Sequence, residues 1–433
     1  MSILRSNVKS IRMFSSAVLS QALLSAGSLL VGLILIRRTT DQQYGYYVLI
    51  TSALLLLTIL QSAYVQPSML KRLIGAERDE RANVIGGLYR EQRLWLLALA
   101  LICVFTICML WYLQAVTSSL ALVFVAGLAA ALATLYREYF RMVLLIYRLP
   151  AQVLRVDTLY VFLVCCGVMF ATTTTAPAIT AALTLACSAT VGAVLLSRIM
   201  WRHESWNIEG SPGILRDIAP LGTWAVTGAA IHWTFTQGYS YLVAATLDVS
   251  AVATLAATRL LLMPVNLMSA GIGTMMFASV SRWLHEHPVK DVLRRLVFVA
   301  SGIAGLALLY FCVMWLLRDW IFTEIFSKQF EQRDTLLILW SAVFLLMTIR
   351  DQLIYLPAAR GCFRSLAWLT LLTALFSLSV SYVCMMRFGI VGALIGILAG
   401  EIINIVGVAR LSLQEVRRAA LEQSTSIAKE NEP

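Results

Sequence analysis

Charge is what this sequence has least of. Asp, Glu, Lys and Arg make up 13% of its 433 residues, where a soluble chain of ordinary composition carries about 25%. So little polar surface cannot solvate a globule of this length, which excludes a water-soluble fold and makes lipid the main solvent. Carboxylates are scarcer than bases, 23 against 34, for a formal net charge of +11. There is no Walker A pattern, so the chain has no such means of hydrolysing ATP. There is no G-x-S-x-G and no pair of carboxylates on a loop, so no catalytic constellation is present and an enzyme is not expected. No CxxC occurs, and the eight cysteines fall almost entirely inside apolar runs, where they read as small apolar fillers. His285-Glu286-His287 is a short potential ligand run, but nothing near it completes a site and no metal is expected. No stretch between the apolar runs is long enough to fold as a soluble domain.

What fills the chain instead is hydrophobic sequence, 60% of it, with a mean hydropathy of +0.80. Apolar runs of spanning length recur to the end. They predict twelve helices over 14–36, 45–66, 94–114, 118–136, 157–175, 177–197, 219–245, 250–280, 296–317, 334–356, 366–386 and 389–410. The N-terminal Arg5, Lys9 and Arg12 resemble a signal-peptide start, but the following run is long enough to span and no polar cleavage region follows, so a retained first helix is expected.

The bases set the orientation. With the N-terminus in the cytoplasm and loops assigned alternately, 26 of the 34 Lys and Arg fall on the cytoplasmic side and six on the other, the asymmetry expected of cytoplasmic loops. Both termini are then inside. The outer connections 115–117, 176–177 and 246–249 are near-minimal, and only 318–333 is longer. Thr40-Asp41-Gln42-Gln43-Tyr44-Gly45 before the second run and Leu247-Asp248-Val249-Ser250-Ala251 before the eighth form a weak internal repeat near half the chain length, as two parallel six-helix halves would give. The expected organisation is a six-helix bundle over 1–205, a second over 206–415, and a cytoplasmic polar tail over 416–433.

Four segments carry a family resemblance. Ile36-Arg37-Arg38 through Tyr46-Tyr47 resembles a junction of polysaccharide flippases. Tyr136-Arg137-Glu138-Tyr139-Phe140-Arg141 with Arg155-Val156-Asp157, then Ala256-Ala257-Thr258-Arg259-Leu260 with Pro264, and Phe388-Gly389-Ile390-Val391-Gly392-Ala393 resemble their fourth-to-fifth connection, eighth helix and last helix. The order and spacing fit over nearly the whole chain. The resemblance is to the Wzx-like O-antigen and exopolysaccharide flippases of the multidrug/oligosaccharidyl-lipid/polysaccharide (MOP) exporter superfamily. It implies an all-α polytopic fold of two six-helix bundles around a central cavity. It also implies outward movement of undecaprenyl-diphosphate-linked oligosaccharides across the bacterial inner membrane by alternating access. A polysaccharide polymerase and a chain-length regulator would be partners, and no cofactor is expected beyond coupling to H⁺ or Na⁺.

Polar residues inside the runs are the candidate site, because an ion at mid-bilayer costs about 2.5–3.5 kcal/mol on insertion scales. Arg259 reads either as the ligand of a diphosphate or acidic sugar or as the partner of a carboxylate such as Glu401. Glu401 and Asn404, one turn apart, read as a coupling site or as a partner for a base. Arg350-Asp351 read as a gate at the inner mouth or as charges snorkelling to the interface. Gln21, Gln61, Gln66 and Gln237, with His232 and Tyr239, either line a sugar path or cross-link helices. Arg37 and Arg38 either steer an anionic head group or anchor the first helix at the interface. Pro264, with Gly271 and Gly273 beyond it, predicts a bend in the eighth helix. Two other readings remain. A multidrug or cation antiporter needs an acidic residue in the first half, where only Asp157, near a span end, offers itself. A membrane polymerase needs outer-loop carboxylates, for which Asp319, Glu324, Glu331 and Asp334 are the candidates.

Overall fold

A computed structural model describes residues 2–73, 77–147, 149–203, 206 and 213–430. Arg148 of the fourth-to-fifth connection and the last three residues of the polar tail lie outside them. The described chain is helical throughout: α1 (Ser2–Arg38), α2 (Asp41–Leu73), α3 (Arg78–Tyr112), α4 (Ser118–Ile146), α5 (Pro150–Ala171), α6 (Pro177–His203), α7 (Ile214–Thr246), α8 (Val249–Leu260), α9 (Met263–Glu286), α10 (Val289–Leu316), α11 (Arg318–Trp320) followed by a π turn (Ile321–Ile325), α12 (Arg333–Leu353), α13 (Tyr355–Ala359), α14 (Phe363–Phe388) and α15 (Ile390–Glu430). Among the described residues ten helices are long and apolar enough to cross a membrane, and eleven if α8 and α9 count as one broken span. The helix α7 holds the seventh expected run but falls outside that set. His232, Thr236, Gln237, Tyr239 and Ser240 crowd its second half and dilute its hydropathy. The chain is a multi-pass membrane protein.

The chain divides into two units, Met1–Ala230 and Ile231–Pro433. In the first, α4 packs along α6, and α5 lies against α1 and α6. Glu91 of α3 accepts bonds from the backbone N–H groups of Gly213, Ile214 (3.1 Å) and Leu215 (2.7 Å). These are orphan donors at the start of α7, where a carboxylate also meets the positive end of the helix dipole. Gly213 takes φ +85° to turn the chain into that cap.

The two segments read as a repeat each carry a helix cap, though at Thr40 and Asp248 and not at the match of Asp41 with Asp248 that the sequence suggested. Thr40 accepts from the Gln43 N–H (3.4 Å) at the start of α2, and Asp248 accepts from the Ala251 N–H (2.6 Å) at the start of α8. Both are side-chain N-caps on the helix that follows a short turn.

In the second unit α15 packs against α14 and α12. The turn between α14 and α15 is Gly389 alone, at φ +54° and ψ −133°, a conformation open in practice only to glycine. The helices then run so close that a Cβ on Gly392 would strike the backbone of Cys384 and Met385, and one on Gly400 would lie 2.6 Å from Ser377 Cβ. Ser377 and Ser381 donate across the seam to the carbonyls of Gly396 (3.1 Å) and Ala393 (3.0 Å), the small-residue packing typical of helices in lipid. The substitution Gly392→Ala is therefore expected to cost about 1–3 kcal/mol by overpacking. Gly302→Ala, where a Cβ meets open space, is expected to leave stability unchanged or raise it. Thermal unfolding of the two variants in detergent checks both.

Candidate functional site

The eighth expected run is broken. Leu261 and Leu262 interrupt the helix, α9 restarts with Pro264 in its first turn, and the two pieces meet at a 55° bend. Pro264 has no N–H to continue the ladder. The Leu261 carbonyl is taken up by the Tyr310 hydroxyl of α10 (2.7 Å), as an irregular backbone at membrane depth requires.

Arg259 stands in the last turn of α8, just before this break. Its Nη1 donates to Gln237 Oε1 (3.1 Å) and to the Tyr239 hydroxyl (3.0 Å) on α7. The guanidinium also stands 5.6 Å from the Trp340 ring centre, a cation–π distance. Its Nε is buried and has no hydrogen-bond partner, and among the described residues no carboxylate pairs with it. The pairing of Arg259 with Glu401 considered from sequence does not occur. Gln237 and Tyr239 hold the cation in place with neutral oxygens and leave its charge uncancelled.

Glu401 belongs to Arg350. Arg350 Nη1 bonds both Glu401 oxygens (2.9 and 2.7 Å), and its Nε and Nη2 bond Asp351 Oδ1 (3.2 and 2.8 Å). Arg350 is 5% exposed and Glu401 3%, so snorkelling is ruled out for Arg350. The buried guanidinium also faces the Phe235 ring at 5.7 Å. Asn404 is buried one turn from Glu401.

The first unit holds a comparable cluster that the sequence did not give away. Arg137 is 2% exposed and Asp157 fully buried. Arg137 Nη2 pairs with Asp157 Oδ1, Arg141 Nε with Asp157 Oδ2 (3.1 Å), and both arginines also pair with Glu138 (2.8 and 3.3 Å). Ser20 of α1 donates to Asp157. Arg141 reaches Gln21 Oε1 at 3.4 Å, and Tyr160 stacks on Arg137 at 3.8 Å. Arg137 and Arg141 were expected in a cytoplasmic loop and Asp157 at the edge of a span. In fact α4 continues to Ile146 and α5 starts at Pro150, which places all three inside helices. Spacing Arg137 and Arg141 four apart on one helix face was the available signal. The buried Tyr139 and Phe140 join Tyr89 and Trp206 in an aromatic core.

Beside this cluster the first unit contains a cavity of about 500 Å³. Arg137, Glu138 and Tyr160 form its charged end, and hydroxyls of Ser28, Ser62 and Thr134 stand among Leu, Ile and Val side chains on its wall. Gln61 is not on that wall: its Nε2 donates to the Leu135 carbonyl (3.0 Å), tying α2 to α4. Gln66, Arg37 and Arg38 are exposed, the two arginines at the end of α1. His232 is exposed along α7.

No group of three or more His, Cys, Asp or Glu among the described residues is arranged to hold a metal, and this includes His285-Glu286-His287. Cys362, between α13 and α14, lies against Glu415 (3.4 Å). Burial and that carboxylate push its thiol pKa upward, away from the reactive thiolate. In the connection between α10 and α12 Asp319 and Asp334 are paired with Arg318 and Arg333, and Phe322, Phe326 and Phe330 pack beside them.

Removing one member of a buried pair leaves the rest uncompensated, which costs about 3–5 kcal/mol. Asp157→Asn is expected to lower the thermal midpoint sharply, and adding Arg137→Met to recover part of the loss. A double-mutant cycle on unfolding midpoints reads the coupling.

No protein-family model matches the sequence, and no curated protein matches it by sequence. Solved structures do match in fold. An inward-facing multidrug resistance MATE family transporter of the MOP superfamily superimposes with a TM-score of 0.75 at 14% identity, covering 95% of this chain and 99% of its own. The lipid II flippase MurJ in an inward closed conformation gives 0.70 at 11% identity over 98% and 93%. The Vibrio cholerae MATE transporter VcmN gives 0.62 at 16% identity over 95% and 97%. With its caps, broken eighth span and Gly-seamed last pair of helices, the chain has the all-helical membrane fold that MATE transporters and MurJ share.

Proposed function

We propose that this protein is a flippase of the bacterial inner membrane, with both termini cytoplasmic. It carries undecaprenyl-diphosphate-linked oligosaccharide units to the periplasmic leaflet for O-antigen, capsule or exopolysaccharide synthesis. The observation that carries the reading is Arg259, an intramembrane guanidinium held by Gln237 and Tyr239 and opposed by no carboxylate among the described residues. A permanently charged group at that depth is costly unless an anion answers it, and guanidinium matches the oxygens of a diphosphate two at a time. The lipid tail stays in the bilayer while the diphosphate-sugar head is carried through. Arg37 and Arg38, exposed at the end of α1, suit release of the same head group. The fold shared with MurJ, a lipid II flippase, is consistent with a lipid-linked substrate. A polysaccharide polymerase and a chain-length regulator are the partners that would consume the product.

The cation-antiporter reading is disfavoured by the first-unit acid it requires. Asp157 is already neutralised by Arg137 and Arg141. The polymerase reading is disfavoured by Asp319 and Asp334, which are committed to ion pairs in the outer connection. The bend at Pro264 fits a hinge in the transport cycle.

In a strain lacking the protein, lipid-linked repeat units are expected to accumulate on the cytoplasmic leaflet, and the wild-type gene to clear them. Arg259→Ala, inserted at wild-type level, is expected to reduce clearance at least tenfold, and Arg259→Lys to restore only part of it. Leaflet-resolved assay of the intermediate decides. Normal delivery to the outer leaflet without the protein would overturn the reading.

A further inference from the structure

The two buried arginine clusters are variants of one design. Each arginine sits on the fourth long helix of its half, α4 or α12, with a carboxylate immediately after it: Arg137-Glu138 and Arg350-Asp351. Each also pairs with a carboxylate on another helix, Asp157 of α5 or Glu401 of α15. The clusters differ in charge. Four residues after Arg137 stands Arg141, which makes the first cluster two cations and two anions. Four residues after Arg350 stands Ile354, so the second holds one cation and two anions. Excess charge buried in a membrane helix bundle is unfavourable. The first unit shows how this architecture cancels it, with a second guanidinium, and the second unit leaves that place open.

We infer that the Arg350–Asp351–Glu401 cluster binds one proton, the mobile counterpart of the fixed charge that Arg141 supplies in the first unit. One carboxylate takes H⁺ from water and becomes a carboxylic acid, and the remaining carboxylate forms a neutral pair with Arg350. The proton belongs to the cluster, since two carboxylates sharing one guanidinium titrate together. A metal cation fits poorly. Both Glu401 oxygens and one Asp351 oxygen already accept from Arg350, no metal-binding group of side chains occurs among the described residues, and hard cations demand six or more oxygens. Access is graded: the Asp351 side chain is 33% exposed and that of Glu401 4%, so Asp351 is the port and Glu401 the inner seat. The other titratable groups among the described residues that feel the cluster are His232 on α7 and Tyr355 on α13.

The site stands on geometry alone, whereas its use as a driving ion rests on the flippase reading, and the two are tested separately. The full-length protein in lipid nanodiscs is titrated with pH under infrared difference spectroscopy, which reports the C=O stretch of a protonated carboxyl group. Exposed carboxyl groups ionise first as pH rises; beyond them the wild type is expected to show one such band that persists to higher pH before it disappears. Glu401→Gln and Asp351→Asn should each abolish it, because either substitution leaves a one-to-one pair with Arg350. Asp351, being partly exposed, is the variant least prone to misfold. Absence of a titrating band in the wild type, or its survival in Asp351→Asn, overturns the proton site. In proteoliposomes an imposed pH gradient is expected to speed wild-type movement of an undecaprenyl-diphosphate-linked sugar and not that of Asp351→Asn. A titrating band in a protein that moves no such lipid would leave the proton site standing and sink the flippase.

Discussion

Lipid is the main solvent of this molecule, and a charged side chain buried among its helices is costly unless another part of the protein answers it. That constraint explains why carboxylates are rare and where they stand. Asp157 gathers Arg137, Arg141 and Ser20 and so joins α4, α5 and α1. Glu401 joins α15 to α12 through Arg350. In lipid the hydrophobic effect gives helices little reason to prefer one neighbour over another, so such contacts define the packing more than their number suggests. Broken backbone obeys the same demand, as the Leu261 carbonyl does in bonding Tyr310.

Arg259 stands out against that background. The buried guanidiniums of Arg137 and Arg350 meet carboxylates, whereas this half-buried one meets an amide oxygen, a phenol and an indole face. A site that held its charge in a finished ion pair would have nothing to offer an anionic cargo. Neutral acceptors fix the direction of the group and preserve its charge for a partner that comes and goes.

The helical plan was legible because spanning length and hydrophobicity act locally along the chain. Thr40 and Asp248 stood out in sequence only as parts of a repeat and Gly389 only within a family-like segment; their roles as caps and as a one-residue turn came from the fold. The buried clusters were not. Asp157 is 20 residues from Arg137 and Glu401 is 51 from Arg350, and the periodicity of one helix carries no information on which neighbour it faces. Hydropathy also ended the fourth run at 136, because Arg137 and Arg141 resemble loop charges until their partner is known. The break near Pro264 was readable from the missing N–H, while the donation from Tyr310 of α10 to the freed Leu261 carbonyl required the fold.

The seam between α14 and α15 has a mechanical meaning. At Gly392 and Gly396 the two helices touch at backbone distance, farther along Gly400 and Gly407 meet the Ser377 and Leu369 side chains, and serine hydroxyls of α14 bond carbonyls of α15. With so little side-chain bulk between them at that end, they cannot slide without colliding, and they behave as a single stiff beam. Glu401 is mounted on that beam. Compliance in the second unit is thereby concentrated at the interrupted α8–α9 joint, the place where a ladder bond is already absent and bending meets the least resistance.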